Sequence, residues 1–179
     1  MSKEIKTIQN WIRFFILSLF ISGITAIPVE GELTYIVAQF PFEGTIKGFL
    51  EQILIGIKQT SKDFPFLFYG YDWLAFAHIV LAILFIGPLR DPVKNKWVIQ
   101  FGIIACILII PFALIMGGVR GMPFWWRLID CSFGVIGSIP LIICLKNIKK
   151  LETAENTEAE KKEAFDLLLQ DSKMELSNH

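Results

Sequence analysis

The side chains that could do chemistry in this sequence are ionisable groups placed in or beside apolar segments. His78 lies within one such segment, and Asp130 lies at the start of another, shortly after Arg120 and Arg127. Imidazole and carboxylate groups transfer protons, and guanidinium groups bind phosphate or carboxylate oxygens in a fixed fork. Because an ionisable group at membrane depth is energetically costly, each of these residues is a candidate functional residue.

The spacing of these residues indicates a polar cluster at one end of the apolar segments. Arg127 and Asp130 are three residues apart, so they share a helix face and can pair. His78 follows Trp73 by five residues, roughly 8 Å down a helix, and would donate a ring hydrogen to Asp130 if the helices pack together. We therefore predict His78 and Asp130 as the proton-transferring, catalytic pair. The predicted ligand-binding residues around them are Tyr71, Asp72, Arg120, Trp126 and Arg127.

The same residues also have a structural interpretation, which the sequence leaves open. Arginines beside tryptophans, as in the segment 120–127, are typical membrane-boundary anchors, and Asp130 would then only neutralise one of them. A buried histidine such as His78 needs a hydrogen-bond partner whether or not it is catalytic. Asp72, just before an apolar segment, is expected to cap a helix.

The amino-acid composition indicates the class of protein to which these residues belong. Of 179 residues, 54% are hydrophobic and 19% are charged, and the mean hydropathy is +0.55. Soluble domains have roughly 25% charged residues, so the chain is expected to be an integral membrane protein in contact with the lipid bilayer. The 17 basic and 17 acidic residues cancel, and no basic run attracts nucleic acid.

Hydrophobic periodicity predicts an all-α, polytopic protein with a four-transmembrane-helix bundle at 1–150. The spans are expected at about 11–27, 73–89, 97–116 and 128–145. The connection 28–72 contains an amphipathic helix at about 44–59, because apolar residues recur there at helical spacing. The charged segment 151–179 is expected to form a separate helical tail.

Basic residues predict the orientation of the spans. Three clusters fall on one side of a four-span protein: Lys3, Lys6 and Arg13; Arg90, Lys94 and Lys96; and Lys146, Lys149 and Lys150. Since basic flanks stay in the cytoplasm, both termini and the tail are predicted to be cytoplasmic in a bacterial-type inner membrane, with the 28–72 connection outside. An alternative is that the first apolar segment is a signal peptide, although its small-residue cleavage pattern is poor.

The sequence lacks the residue patterns that several chemistries require. The three cysteines, Cys106, Cys131 and Cys144, all lie in apolar segments, so no disulfide framework and no metal site is expected. Nucleotide-binding and zinc-protease motifs do not occur. His78 and His179 would lie towards opposite faces, so one chain cannot hold a haem between two histidines, whereas two chains each supplying one histidine could. The sequence identifies no cofactor.

The first connection is long, and Asp72 is followed by His78 at the second span. The fourth span carries Arg127, Asp130, Gly134 and Gly137. These features resemble those of VanZ-type four-helix membrane proteins. The sequence departs from that family's pattern at two points. In this sequence the acidic residue and the histidine are farther apart than in the family, and Phe133-Gly134 occupies the place of an expected asparagine. We therefore carry over no residue and assign no family.

Two functions are compatible with these observations. The first is a non-enzymatic membrane component or accessory subunit, with an outer-face polar cluster and a cytoplasmic tail that contacts a protein partner. The second is a membrane enzyme or binder that acts on an anionic, lipid-like substrate at the outer leaflet. In the second, the two arginines would hold the anion, while His78 and Asp130 would handle protons.

Overall fold

The computed structural model describes residues 3–39, 41 and 43–177, and this part of the chain is helical without strands. The elements are α1 (Lys3–Ala26), α2 (Val29–Gln39), α3 (Thr45–Asp63), a 3-10 turn (Pro65–Phe68), α4 (Tyr69–Leu84), α5 (Ile86–Arg90), α6 (Lys96–Val119) and α7 (Phe124–Ser177). Proline at the first position of the 3-10 turn suits a helical start, since its missing N–H would have no partner there.

Four helical segments are long and apolar enough to cross a membrane: Lys3–Ala26, Pro65–Arg90, Lys96–Val119 and Phe124–Leu167. The number of spans predicted from the sequence is thus confirmed at the level of length and composition. The second segment begins at Pro65 rather than near residue 73, because the aromatic stretch before Trp73 is already helical.

The chain divides into two units, one made of the described residues of 1–13 and 87–179, and the other of 14–86. In the first unit, α6 and α7 run antiparallel and pack closely. A Cβ added at Gly134 would lie 2.4 Å from the Cys106 carbonyl oxygen, so only glycine permits this approach. The Cys131 thiol donates to the Ile110 carbonyl at 3.7 Å beside that contact.

The start of α1 completes the core of this first unit. The Cys144 thiol donates to the Ile8 carbonyl at 3.7 Å, and Gln9 donates to the Leu89 carbonyl at 3.4 Å. The buried side chains of this core include Ile8, Ile12, Val98, Ile99, Leu141, Cys144 and Ile148.

The connection between α5 and α6 is fixed by its own side chains. The Asn95 amide donates to the Gly87 carbonyl at 3.2 Å and to the Asp91 carbonyl at 2.9 Å. The Asp91 carboxylate accepts the Lys94 backbone N–H at 3.1 Å. Just beyond this turn, Lys96 donates to both carboxylate oxygens of Glu152 on α7, at 2.9 and 2.6 Å. These contacts hold the turn and α7 together at one end of the unit.

α7 is one continuous helix of 54 residues, with Pro140 inside it. The expected boundary between membrane domain and tail, at 150 and 151, falls within this helix. The segment 146–160 contains neither glycine nor proline and is rich in glutamate, lysine and alanine, which favour a helix.

In the second unit, the later part of α1 packs on α4. A Cβ at Gly23 would lie 2.9 Å from the Ala75 carbonyl oxygen, and the Phe15 and Phe85 rings are 4.7 Å apart. The 28–72 connection contains α2, which the sequence analysis did not predict, as well as α3 at the position of the expected 44–59 helix. In α3, Leu50 is 8% exposed and Ile55 is 68% exposed.

We predict that Gly134→Ala separates α6 from α7 and lowers the free energy of unfolding by about 1–3 kcal/mol, the usual cost of overpacking. The measurement is thermal unfolding in a mild detergent. The matched control is Gly56→Ala in α3, where an added Cβ meets nothing within 4 Å and alanine favours the helix. Equal stability of the two variants would contradict the assigned role of Gly134.

Candidate functional site

The residues predicted to do chemistry belong to both units of the chain. Tyr71, Asp72 and His78 lie in the unit 14–86, whereas Arg120, Trp126, Arg127 and Asp130 lie in the other unit. Each group is positioned by its own helix or turn.

The turn that carries the arginines begins with a glycine cap at the end of α6. Gly121 has a φ of 68°, a backbone conformation that side chains other than glycine rarely adopt. The Met122 N–H donates to the Gly117 carbonyl at 2.8 Å, and the Gly121 N–H donates to the Gly118 carbonyl at 3.1 Å. This pair of bonds is the Schellman motif, which satisfies carbonyls left open at a helix end.

Arg127 fills the inner side of this turn. Its Nε donates to the Met122 carbonyl at 2.8 Å, and its side chain lies against two glycines of α6. A Cβ added at Gly117 would be 2.8 Å from Arg127 Cγ, and one at Gly118 would be 3.2 Å from Nη1. The half-buried guanidinium group therefore stabilises the connection between α6 and α7.

The expected ion pair between Arg127 and Asp130 does not form among the described residues, where the salt bridges are Lys47–Glu43, Lys94–Asp91 and Lys96–Glu152. The Met122 carbonyl lies within reach of Arg127 and accepts its Nε instead. Asp130 is half-buried on α7, and Arg120 at the end of α6 is exposed. Trp126 makes an edge-to-face contact with Trp125, with ring centroids 5.6 Å apart.

His78 is held within α4. Its Nδ1 is 2.8 Å from the Leu74 carbonyl oxygen, so Nδ1 carries the donated proton and Nε2 is the acceptor in the neutral ring. The accepting carbonyl lies one turn earlier in the same helix. The His78 side chain begins close to α1, because a Cβ at Gly23 would be 3.1 Å from His78 Cβ.

The start of α4 differs from the sequence-based expectation. Because α4 begins at Tyr69, Asp72 lies inside its first turn and is not the capping residue. The exposed carboxylate still lies near the positive end of the helix dipole. Tyr71 stacks on Phe68, with ring centroids 5.6 Å apart.

A groove in this region was missed by the sequence analysis. It has a volume of about 250 Å³ and is lined by Tyr69, Asp72, Trp73 and Phe76. Sequence positions i, i+3, i+4 and i+7 share a helix face, so the spacing could have revealed it. The signal was overlooked because the helix was expected to begin near residue 73.

Among the described residues outside the spans, two groups have shifted pKa values, and each shift is explained by a local contact. A hydrogen bond from the Lys94 backbone N–H lowers the pKa of Asp91. A hydrogen bond to Glu43 raises the pKa of Lys47 in α3, whose Nζ is 2.5 Å from the Glu43 carboxylate. Within residues 3–39, 41 and 43–177, no cluster of three metal-ligating side chains occurs.

We predict that Arg127→Lys destabilises the turn almost as much as Arg127→Ala, because lysine has no Nε at that position. The lost bond to the Met122 carbonyl should cost about 1.5–3 kcal/mol, typical of a hydrogen bond from a charged group. The measurement is hydrogen exchange of the amides in 117–123, together with thermal unfolding. The exposed Arg120→Lys is the control. Full protection of these amides in Arg127→Lys would refute the assigned contact.

Comparisons with protein-family models, with curated proteins and with solved structures found no match.

Proposed function

We propose that this chain is a non-enzymatic, multi-pass component of a bacterial-type inner membrane, an accessory subunit that presents a charged cytoplasmic helix to a protein partner. The observation that carries the proposal is the continuity of α7, in which the last span and the charged tail form one helix over Phe124–Ser177. A continuous helix transmits the position of the span to a partner, whereas a flexible linker would not.

The tail has the reach and the charge for such a role. From Lys150 to the end of α7 there are 27 residues (177 minus 150), so the extension measures about 40 Å. The segment 151–177 contains eight acidic and three basic residues, a net charge of −5. Anionic lipids of the cytoplasmic leaflet repel such a segment, so the helix projects away from the membrane surface and remains accessible to a partner.

The base of the tail is braced against α6. Lys96 and Glu152 have side chains 27% and 30% exposed, so their ion pair is partly shielded from water and less screened than a surface pair. The brace fixes the direction of α7 beyond its membrane-spanning part.

The orientation is supported by contacts within the first unit. The Ile8–Cys144, Gln9–Leu89 and Lys96–Glu152 contacts gather the three basic clusters at one end of that unit. Basic flanks favour the cytoplasmic side, so we place this end and both termini in the cytoplasm. The connection 28–72 follows the first span, so we propose that α3 is extracytoplasmic.

This orientation predicts opposite labelling of two introduced cysteines by a membrane-impermeant maleimide. In intact spheroplasts, Ile55→Cys in α3 should be labelled, whereas Thr157→Cys in α7 should be labelled only after the membrane is opened. Both sites are exposed, and wild-type protein controls for the three native cysteines. Labelling of Thr157→Cys in intact spheroplasts would overturn the proposed orientation.

The accessory role predicts a specific neighbour of the tail. A photoreactive amino acid replacing Phe165, which is exposed on α7, should form one discrete protein adduct in native membranes. The matched control is Phe112, which is exposed on α6 within a span and should react mainly with lipid. Glu152→Gln should weaken the adduct by misdirecting the tail. Substrate turnover by the purified chain alone, abolished in Asp130→Asn, would refute the non-enzymatic role.

A second function is favoured by one observation, the exposed Arg120 in the same turn as Arg127. These residues would bind the anionic group of a lipid-like substrate at the outer leaflet, and Asp130, on the same helix as Arg127, would handle protons if the chain is an enzyme. Retention of anionic lipid should then fall in Arg120→Ala. Retention equal to wild type in both Arg120→Ala and Arg127→Ala would rule out this function.

A further inference from the structure

The groove at the start of α4 combines aromatic rings with a single carboxylate. Tyr69, Asp72, Trp73 and Phe76 line its volume of about 250 Å³. All four residues are exposed, and all lie in the first two turns of one helix, so the helix backbone fixes their spacing. The groove belongs entirely to the unit 14–86.

The rings are arranged in consecutive perpendicular pairs. The Tyr69 and Trp73 centroids are 6.0 Å apart with an interplanar angle of 83°, and the Trp73 and Phe76 centroids are 5.7 Å apart at 88°. Edge-to-face pairs are favourable in themselves, so the rings hold one another in place. The groove therefore has aromatic walls in two orientations.

These groups attract a cation. An aromatic face carries negative charge density and attracts an ammonium group within about 6 Å of the ring centre, most strongly for tryptophan. Asp72 adds a full negative charge at the same groove, and no salt bridge occupies its carboxylate within the described residues. Aromatic faces beside a carboxylate suit a bulky organic ammonium better than a metal ion, which needs several oxygen ligands.

The position of the groove indicates the source of the ammonium group. The candidate span that contains it begins at Pro65, so Tyr69 and Asp72 lie in its first turns. The ends of a span meet the lipid headgroups, where tryptophan and tyrosine are enriched. Boundary tryptophans that serve only as anchors need no carboxylate. We infer that this groove is a binding site for the organic ammonium headgroup of a phospholipid, of the ethanolamine or choline type. This inference is independent of the role proposed for the tail.

The test measures binding of short-chain phospholipids to the purified full chain by native mass spectrometry. Lipids with choline, ethanolamine and glycerol headgroups are compared at matched chain length. We expect the two ammonium lipids to bind more tightly than the glycerol lipid. Trp73→Leu should raise their Kd by about fivefold, as expected for loss of a cation–π contact at an exposed site.

The controls separate recognition from general boundary effects. Trp97 is 58% exposed at the start of α6 and matches Trp73 at 55%, but it does not line the groove, so Trp97→Leu should leave the Kd unchanged. Asp72→Asn should weaken binding of both ammonium lipids, whereas Asp72→Glu, which keeps the charge, should restore most of it. Circular dichroism confirms that each variant is folded.

Two results would overturn the inference: equal Kd values for the choline and glycerol lipids, or equal weakening by Trp73→Leu and Trp97→Leu. Competition with tetramethylammonium distinguishes the sources of the ligand. Displacement of the lipid shows that the free cation is sufficient. Headgroup discrimination without displacement shows that the lipid is the ligand. Both of these results support an ammonium site.

Discussion

The close approach of α6 and α7 at Gly134 is the constraint on which the first unit depends. With the Cys106 carbonyl oxygen only 2.4 Å from where a Cβ would lie, the two backbones are too close for any residue but glycine at this position. In lipid, where apolar side chains gain little by leaving the solvent, such close packing is the main attraction between helices. The short distance also allows the Cys131 thiol to reach Ile110 and the Arg127 side chain to lie on Gly117 and Gly118.

Polar side chains in this chain donate hydrogen bonds to nearby backbone carbonyls. Ser132 and Ser138 donate to carbonyls three residues earlier, His78 uses the carbonyl four residues earlier, and Arg127 uses that of Met122. A membrane offers no water to a polar group in its interior, so the nearest carbonyl is a strong competitor for any donor. Among the described residues the ion pair between Arg127 and Asp130 does not form, although the spacing of three residues allowed it.

Features that extend over many residues could be predicted from the sequence, whereas features set by a few residues, such as where a helix begins, were missed. The four apolar segments and the helix at α3 follow from periodicity over many residues. α2 was missed because its segment, VEGELTYIVAQ, includes a glycine and several β-branched residues and gives no clear capping signal. The early start of α4 was missed because Pro65 and Gly70 suggest a break, although proline is well tolerated at the first turn of a helix.

The expected boundary at residue 150 falls within α7, where the composition changes but the helix does not end. A change in composition marks a change in solvent, from lipid to water, and this change need not interrupt a helix. Residues on the membrane side of α7 include Lys146, Lys149 and Lys150, whose charges suit anionic headgroups, whereas acidic residues dominate beyond them. Glu152 is the first acidic residue after the lysines, and its charge would be repelled by those same headgroups. Lys96 Nζ lies 2.6 Å from the Glu152 carboxylate and neutralises it. The helix therefore passes from its basic segment to its acidic segment with the first carboxylate already paired.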